Sequence, residues 1–134
     1  MAQDRATFQQ LAEERLAEAT LLLAQGYPSG AYYLAGYAVE CALKASIATR
    51  FKADEIPDKS LVNSVYTHKL IELLRLSGLE HEVKADKTLS GSWTVASEWS
   101  EQARYRAWTT DEASAMLNAI SGNEGLLKWL LNRL

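Results

Sequence analysis

The segment 32–46 constrains the fold more than any other part of the chain, because it is apolar on nearly every side at helical spacing. A helix that is apolar all round is buried all round. The segment contains one acid and one base, Glu40 and Lys44, at the i, i+4 spacing and in the order that lets them pair on a helix. The sequence therefore predicts a central helix with neighbours on more than one side. Its two apolar stripes are Ala35, Val39, Ala42 and Leu43, and Leu34, Ala38, Ala45 and Ile47.

The composition favours one all-helical domain. A chain of 134 residues can bury a core without metals or disulfides. Glycine and proline are sparse, and no alternating run rich in Val, Ile and Thr predicts a sheet. We therefore expect a single all-α domain over residues 1–134. The lone Cys41 can form neither an intramolecular disulfide nor a zinc site, and its apolar surroundings predict a buried small side chain rather than a reactive thiol.

The charge balance limits the kinds of partner. The formal net charge is -3, so contact with nucleic acid has to come from a local basic cluster rather than from a general positive field. The polar residues 1–10 lack the apolar core of a signal peptide. Glu40 and Lys44 interrupt the best candidate for a membrane-spanning segment. We expect a cytoplasmic protein that makes no membrane contact.

Periodicity predicts an antiparallel up-and-down bundle of five helices. The first helix covers residues 4–25 and ends at Gly26, a residue suited to the left-handed cap position. Pro28 starts the second helix, which runs to about Arg50. So short a connection makes these two helices antiparallel neighbours. The charged residues 52–59 then form a loop.

The third and fourth helices are bounded by polar residues. Thr67 is placed to cap the third helix, and Gly78 followed by the apolar Leu79 predicts a Schellman motif at its end. Residues 80–87 form a polar turn. The apolar positions of residues 89–103 are spaced for the fourth helix.

A capping box opens the fifth helix. Thr109 can accept a hydrogen bond from the amide of Glu112 while the Glu112 side chain reaches back. The apolar positions that follow stay in phase across residues 121–123 and onward to Leu134. The sequence predicts one long helix with a weak point rather than two helices.

Three segments of the chain resemble the HEPN family. They are AVECALKA at residues 38–45, THKL at residues 67–70, and ARY at residues 103–105 before the capped acidic helix. The similarity covers nearly the whole chain. The resemblance implies an antiparallel bundle that pairs into a homodimer with a cleft between the protomers. Some family members are metal-independent ribonucleases, others are inactive partners of small nucleotidyltransferases in toxin–antitoxin-like operons, and related domains help to hold a nucleotide.

The ribonuclease motif of the family is not found at its expected place. Active members carry an arginine and, about four to six positions later, a histidine. The equivalent arginine here is Arg104, but Tyr105 follows it and residues 109–111 occupy the place of the histidine. Arg75 and His81 match the spacing, yet they lie at the end of the third helix, where we expect two solvated side chains and no catalytic pair.

Five residues are candidates for binding a nucleotide or RNA. Guanidinium groups can contact a phosphate, and aromatic faces can stack on a base. The alternative is that Arg104 pairs with a carboxylate across the dimer while the rings of Tyr105 and Trp108 only pack. His68, at the first turn of the third helix, is a further binding candidate, with a capping or surface role as its alternative. The candidates are Arg104, Tyr105, Arg106, Trp108 and His68.

The second helix carries further polar candidates. We interpret Glu40 and Lys44 as a buried structural pair or an element of the dimer surface. Tyr32, Tyr33 and Tyr37 cover successive faces of the helix, so at least one of them should reach a cleft or an interface where its hydroxyl finds a partner.

These observations favour a non-catalytic dimeric module that binds nucleotide or RNA, partners a small nucleotidyltransferase, or does both. One alternative is a metal-independent ribonuclease toxin that uses residues outside the motif. A second is a purely structural dimerisation domain. The sequence contains no metal-ligand cluster, Gly-rich phosphate loop or nucleophile motif, so no metal or cofactor is expected.

Overall fold

The computed structural model describes residues 4–134, so the first three residues of the polar amino-terminal stretch lie outside the described residues. These described residues form helices and no strand, which confirms the all-α prediction. The helices are α1 (Arg5–Ala24), α2 (Pro28–Ala48), α3 (Lys59–Ser64), α4 (Leu70–Ser77), α5 (Glu80–Ala85), α6 (Lys87–Ala96), a 3₁₀ helix (Glu101–Tyr105), α7 (Thr110–Ile120) and α8 (Leu126–Leu131).

The first two helices are antiparallel neighbours, as the short connection predicts. Gly26 adopts a left-handed conformation with φ of 86° just after α1, and Pro28 is the first residue of α2. Residues late in α1 lie beside residues early in α2, and the reverse holds at the other end. Leu22 faces Gly30, Arg15 and Tyr37 line one cavity, and Phe8 and Ile47 line another.

Helix α2 lies at the centre of the fold, which confirms the prediction made from its all-round apolar character. Thirteen of its 21 residues are buried. It contacts α1, α4, α7, α8 and the 3₁₀ helix. Small residues let these neighbours approach closely. The Trp99 ring lies directly against Gly36, and its Nε1 donates a hydrogen bond to the carbonyl oxygen of Tyr33 at 3.0 Å.

The loop predicted for residues 52–59 ends earlier than expected. Helix α3 begins at its last residue, because the Asp58 side chain accepts a hydrogen bond from the Ser60 amide at 2.8 Å and caps the helix. The predicted cap at Thr67 is wrong as well. Helix α4 begins directly after Lys69 and has no side-chain cap, while the Thr67 hydroxyl accepts the Lys69 amide at 3.2 Å.

Helix α4 ends at the predicted glycine, but its last hydrogen bonds differ from those of a Schellman motif. Gly78 has a left-handed φ of 79°, and its amide donates to the Arg75 carbonyl oxygen at 3.2 Å. A Schellman motif would also join the Leu79 amide to the Leu74 carbonyl. Here the Ser77 hydroxyl lies between these two groups: it accepts from Leu79 at 3.2 Å and donates to Leu74 at 2.6 Å.

The polar turn predicted for residues 80–87 is wrong, because this stretch contains helix α5. Glu80 and Lys84 pair across one turn at 2.9 Å, and this hydrogen bond lowers the pKa of the Glu80 carboxyl. Val83 anchors the helix in the core. Asp86 then caps α6. The polar surface of α5 gives no apolar pattern from which a helix could be predicted, and a single buried side chain, Val83, packs it against the core.

The predicted fourth helix over residues 89–103 is shorter than expected. Helix α6 ends at Ala96, and Trp99 is buried from the non-helical connection that follows. The Ser100 hydroxyl accepts the Gln102 amide at 3.3 Å and starts the 3₁₀ helix. The chain leaves the helical path because the Trp99 ring is anchored on α2.

The predicted capping box of the fifth helix is confirmed, but the single long helix is wrong. The Thr109 hydroxyl accepts the Glu112 amide at 3.1 Å, and the Glu112 carboxylate accepts the Thr109 amide at 3.0 Å. The helix ends at Ile120, the next residue Ser121 has an extended ψ of 169°, and Gly122 is left-handed at φ of 87°. Eight α-helices in residues 4–134 replace the five that were predicted.

One hydrophobic cluster joins α2 to every other helix except α3. Cys41 belongs to it and is 2% exposed, and burial raises the pKa of its thiol to about 12. Across the described stretch, no helix has both the length and the apolar character to cross a membrane.

Replacing Gly36 by alanine should destabilise the protein by about 1–3 kcal/mol, because the new Cβ would overlap the Trp99 ring in a closely packed core. Urea unfolding measures the change. Gly91→Ala is the matched control: it lies in helix α6 with open space around it, and it should stabilise the protein by about 0.5–1 kcal/mol. Equal effects at the two glycines would contradict the close packing of Trp99 on α2.

Cys41 should resist labelling in the native protein. A thiol with a pKa of about 12 is ionised in roughly one molecule in ten thousand at pH 8, and the thiolate is the reactive form. We expect a thiol reagent to react at least about a hundred-fold more slowly with the native than with the urea-unfolded protein. Rapid labelling of the folded chain would contradict this burial.

Candidate functional site

A cleft of about 570 Å³ lies beside α2, next to α1 and the 3₁₀ helix. It receives side chains from four separate parts of the chain: α1, α2, the connection between α3 and α4, and the 3₁₀ helix. Its lining combines cations, carboxylates and phenol rings. The lining residues are Arg15, Tyr33, Leu34, Tyr37, Glu40, His68, Glu101 and Arg104.

Glu40 is the most buried charged group of the cleft. Its side chain is 3% exposed, and a carboxylate at that depth requires charged or hydrogen-bonding partners. Lys44 Nζ lies 3.4 Å from Glu40 Oε2, one turn along α2. His68 Nδ1 lies 3.1 Å and 3.2 Å from the two Glu40 oxygens. Glu40 and Lys44 are therefore in contact, and His68 is a second partner of the Glu40 carboxylate.

His68 lies outside the helix in which the sequence placed it. It precedes α4, caps no helix, and has a side chain that is 46% exposed. One ring nitrogen contacts Glu40, and the other, Nε2, lies 3.6 Å from Glu101 Oε2 on the 3₁₀ helix. An imidazole that a buried carboxylate orients can donate a hydrogen bond to a ligand or transfer a proton.

Arg104 extends into the cleft from the 3₁₀ helix. Its guanidinium carbon lies 4.9 Å from the centroid of the Tyr105 ring, and the neighbouring hydroxyls of Tyr105 and then Tyr33 raise the pKa of Arg104. The other cleft arginine, Arg15, is held by Glu18 at 2.9 Å. Within the described chain, no carboxylate lies within ion-pair distance of Arg104. Its positive charge therefore remains open to a ligand.

Arg106 and Trp108 do not line the cleft, although the sequence grouped them with Arg104. The Trp108 ring stacks on Tyr32 with centroids 3.6 Å apart and an interplanar angle of 10°. The Arg106 guanidinium lies 3.9 Å from the same ring and pairs with Glu112 at 3.0 Å. These residues pack α2 against the start of α7. The geometry leaves the Trp108 ring already covered by two side chains.

Tyr33 and Tyr37 confirm the prediction that at least one tyrosine of the second helix reaches a cleft. Tyr32 is buried instead; burial raises its pKa to about 12, and its hydroxyl has no hydrogen-bond partner among residues 4–134. Arg75 pairs with Glu80 at 3.3 Å and, like His81, lies away from the cleft.

Arg15 and Glu101 are cleft residues that the sequence did not indicate. Arg15 belongs to the polar face of an ordinary amphipathic helix, and only the register of α1 on α2 turns it towards the cleft. Glu101 follows a connection that the sequence predicted to be helical. The described residues include no group of three or more His, Cys, Asp or Glu side chains that could hold a metal ion.

The fold and cleft define a small all-helical domain built around one central, largely buried helix, with a charged and tyrosine-lined cleft at its side. The HEPN domain model matches residues 8–134, essentially the whole chain, and the protein belongs to the HEPN family. The resemblance found in the sequence is thereby confirmed. No curated protein and no solved structure matches the chain at a significant level.

The contact between Glu40 and Lys44 should be strongly coupled. Lys44→Met alone leaves a buried carboxylate with one partner fewer and should cost about 2–3 kcal/mol, near the lower end for a broken buried pair because Lys44 is partly exposed. Glu40→Gln combined with Lys44→Met should cost less than the sum of the single changes by at least about 1 kcal/mol in urea unfolding.

The exposed pair of Glu80 and Lys84 is the matched control, since it has the same i, i+4 spacing on a helix. Its coupling should stay below about 0.5 kcal/mol. Equal coupling in the two pairs would show that burial of Glu40 adds nothing to the interaction.

Proposed function

We propose that this HEPN domain is a non-catalytic dimeric module that binds a nucleotide or single-stranded RNA in the cleft beside α2. The observation that supports it is the position of Arg104. This exposed guanidinium has no ion pair in the described chain, and it lies among the rings of Tyr33, Tyr37 and Tyr105. A free cation surrounded by phenol rings is suited to a ligand that carries both a phosphate and a base.

The chemistry of each group fits one part of such a ligand. The guanidinium presents paired N–H donors that match two phosphate oxygens. Tyrosine faces stack on bases of any sequence. Glu101, at the edge of the cleft, can accept hydrogen bonds from sugar hydroxyls or base amino groups. With a net charge of -3, the chain supplies a local contact rather than a general attraction for nucleic acid.

The dimer and the nucleotidyltransferase partner extend this proposal. HEPN domains commonly pair, and Tyr105 beside the cleft is 72% exposed, which is a large aromatic surface for an isolated protomer. We propose that two protomers pair near this edge and that the dimer acts beside a small nucleotidyltransferase in a toxin–antitoxin-like system. Light scattering after gel filtration tests the dimer, and copurification with the product of a neighbouring reading frame tests the partner.

A second candidate function, metal-independent ribonuclease activity, is favoured by His68. The family motif has a histidine shortly after the arginine in the sequence, and this chain has no histidine at that position. In the folded chain, however, His68 and Arg104 line the same cleft, and buried Glu40 orients the imidazole. A proton-transfer group and a cation for the phosphate are the two groups that RNA cleavage without metal requires.

Replacing Arg104 by alanine should weaken binding of AMP or a short single-stranded RNA roughly 10- to 100-fold, because a hydrogen bond to a charged group contributes about 1.5–3 kcal/mol. For RNA, the salt dependence should fall by about 0.7 in log–log slope, the value for one lost phosphate contact on a single strand. Fluorescence anisotropy at several salt concentrations measures both.

Arg133→Ala is the matched control for this experiment. Its guanidinium also lies on an aromatic ring, Trp129, at 3.7 Å, but outside the cleft. The control should leave affinity unchanged. If neither ligand binds the parent protein, the cleft proposal is wrong and a purely structural dimer is the better interpretation. If both arginine variants weaken binding equally, the ligand does not bind in the cleft and the cleft proposal is wrong as well.

Incubation of the protein with single-stranded RNA in the presence of EDTA separates binding from cleavage. A non-catalytic module leaves the RNA intact. If the parent cuts the RNA while His68→Gln binds it without cutting, the protein is a ribonuclease, and the binding half of the proposal still stands.

A further inference from the structure

A second cavity, of about 300 Å³, lies at the opposite end of the α1–α2 pair from their connection. It is formed by the start of α1, the end of α2, the residue Phe51 and the α3 region. Its volume lies at the lower end of the range of about 300–1,000 Å³ that is typical of small-molecule sites. The lining residues are Phe8, Lys44, Ile47, Ala48, Phe51, Val62, Val65 and Tyr66.

The wall of this cavity is apolar except for one cation. Three aromatic rings and four aliphatic side chains surround it, and Lys44 is the only charged residue among the lining set. Tyr66, which also lines the cavity, is 69% exposed. A largely apolar cavity with one charged residue in its lining has the usual composition of a site for a small amphipathic ligand.

Lys44 is only partly neutralised by its neighbour. Its single hydrogen bond within the described chain is to Glu40 at 3.4 Å, whereas ammonium–carboxylate bonds are typically about 2.7–2.9 Å. An ammonium group has three N–H donors. Its side chain is 16% exposed, so bulk water reaches it poorly. Glu40 itself is already held by His68 from the other side.

The geometry points to a binding site for a small monocarboxylate with an aromatic or branched aliphatic body. The carboxylate would accept hydrogen bonds from Lys44 Nζ, and the body would lie among Phe8, Phe51 and Val65. A single negative charge fits better than a phosphate dianion, because Glu40 lies 3.4 Å from the same ammonium and would repel a second charge. This inference does not depend on the function of the cleft.

Phenylacetate and its uncharged analogue phenylacetamide test the site in the parent protein. The two probes differ in the group that faces Lys44 and share the same ring. We expect phenylacetate to bind at least ten-fold more tightly, with NMR shift changes at the methyl groups of Ile47, Val62 and Val65. Equal binding of the amide, absence of binding, or shift changes confined to other methyl groups would each overturn the proposal.

Two variants test the role of the Lys44 charge and the role of the cavity separately. Lys44→Met should remove the preference for the carboxylate, and Lys87→Met, an exposed lysine on α6, should leave it unchanged.

Ala48→Phe should fill the cavity and abolish binding of both probes while keeping Lys44, so it decides the matter if Lys44→Met fails to fold. Persistent binding in Ala48→Phe would overturn the site. If this variant instead changes the oligomeric state of a protein that binds no probe, the cavity belongs to a protein interface.

Discussion

Burial of the Glu40 carboxylate is the constraint on which the arrangement around α2 depends. A charge that is 3% exposed has to be matched by partners, and the protein supplies Lys44 from the same helix and His68 from the connection before α4. Lys44 lies one turn away on the same helix, whereas His68 is distant in the sequence. The Glu40 carboxylate therefore holds a distant segment against the central helix. His68 in turn contacts Glu101 and thereby reaches the 3₁₀ helix that carries Arg104.

Small residues on α2 make this arrangement possible. The approach of Trp99 to Gly36 leaves no room for a methyl group, and it brings the residues around position 100 next to the start of α2. To reach that position the chain leaves α6 at Ala96 and forms a 3₁₀ helix instead of continuing. The close contact between a ring and a glycine thus explains both the irregular connection and the presence of Glu101 and Arg104 at the cleft.

Several residues of the candidate site could be named from the sequence, but their positions along the chain did not show that they lie together. Arg104, His68 and Glu40 were singled out for their chemistry, and each lies in the cleft. The fold divides the local cluster around Arg104, because Trp108 stacks on Tyr32 and does not line the cleft. Spacing along the chain predicts contacts within a helix, where three or four residues make one turn. Spacing along the chain does not predict contacts in a site whose residues come from four separate segments.

The sequence by itself determined the all-α class, the central position of α2, the antiparallel first pair of helices, the capping box at Thr109 and the family. These features follow from local rules: apolar periodicity, cap chemistry and the length of a connection. Only the tertiary structure decided where the later helices break and which polar groups share the cleft. Helices α5 and α8 depend on a few buried side chains and on backbone turns such as Gly122, and the contact of His68 with Glu40 depends on how α4 packs against α2. Burial against distant segments outweighs local preference at these points, because the free energy of packing exceeds the small propensities that a sequence pattern records.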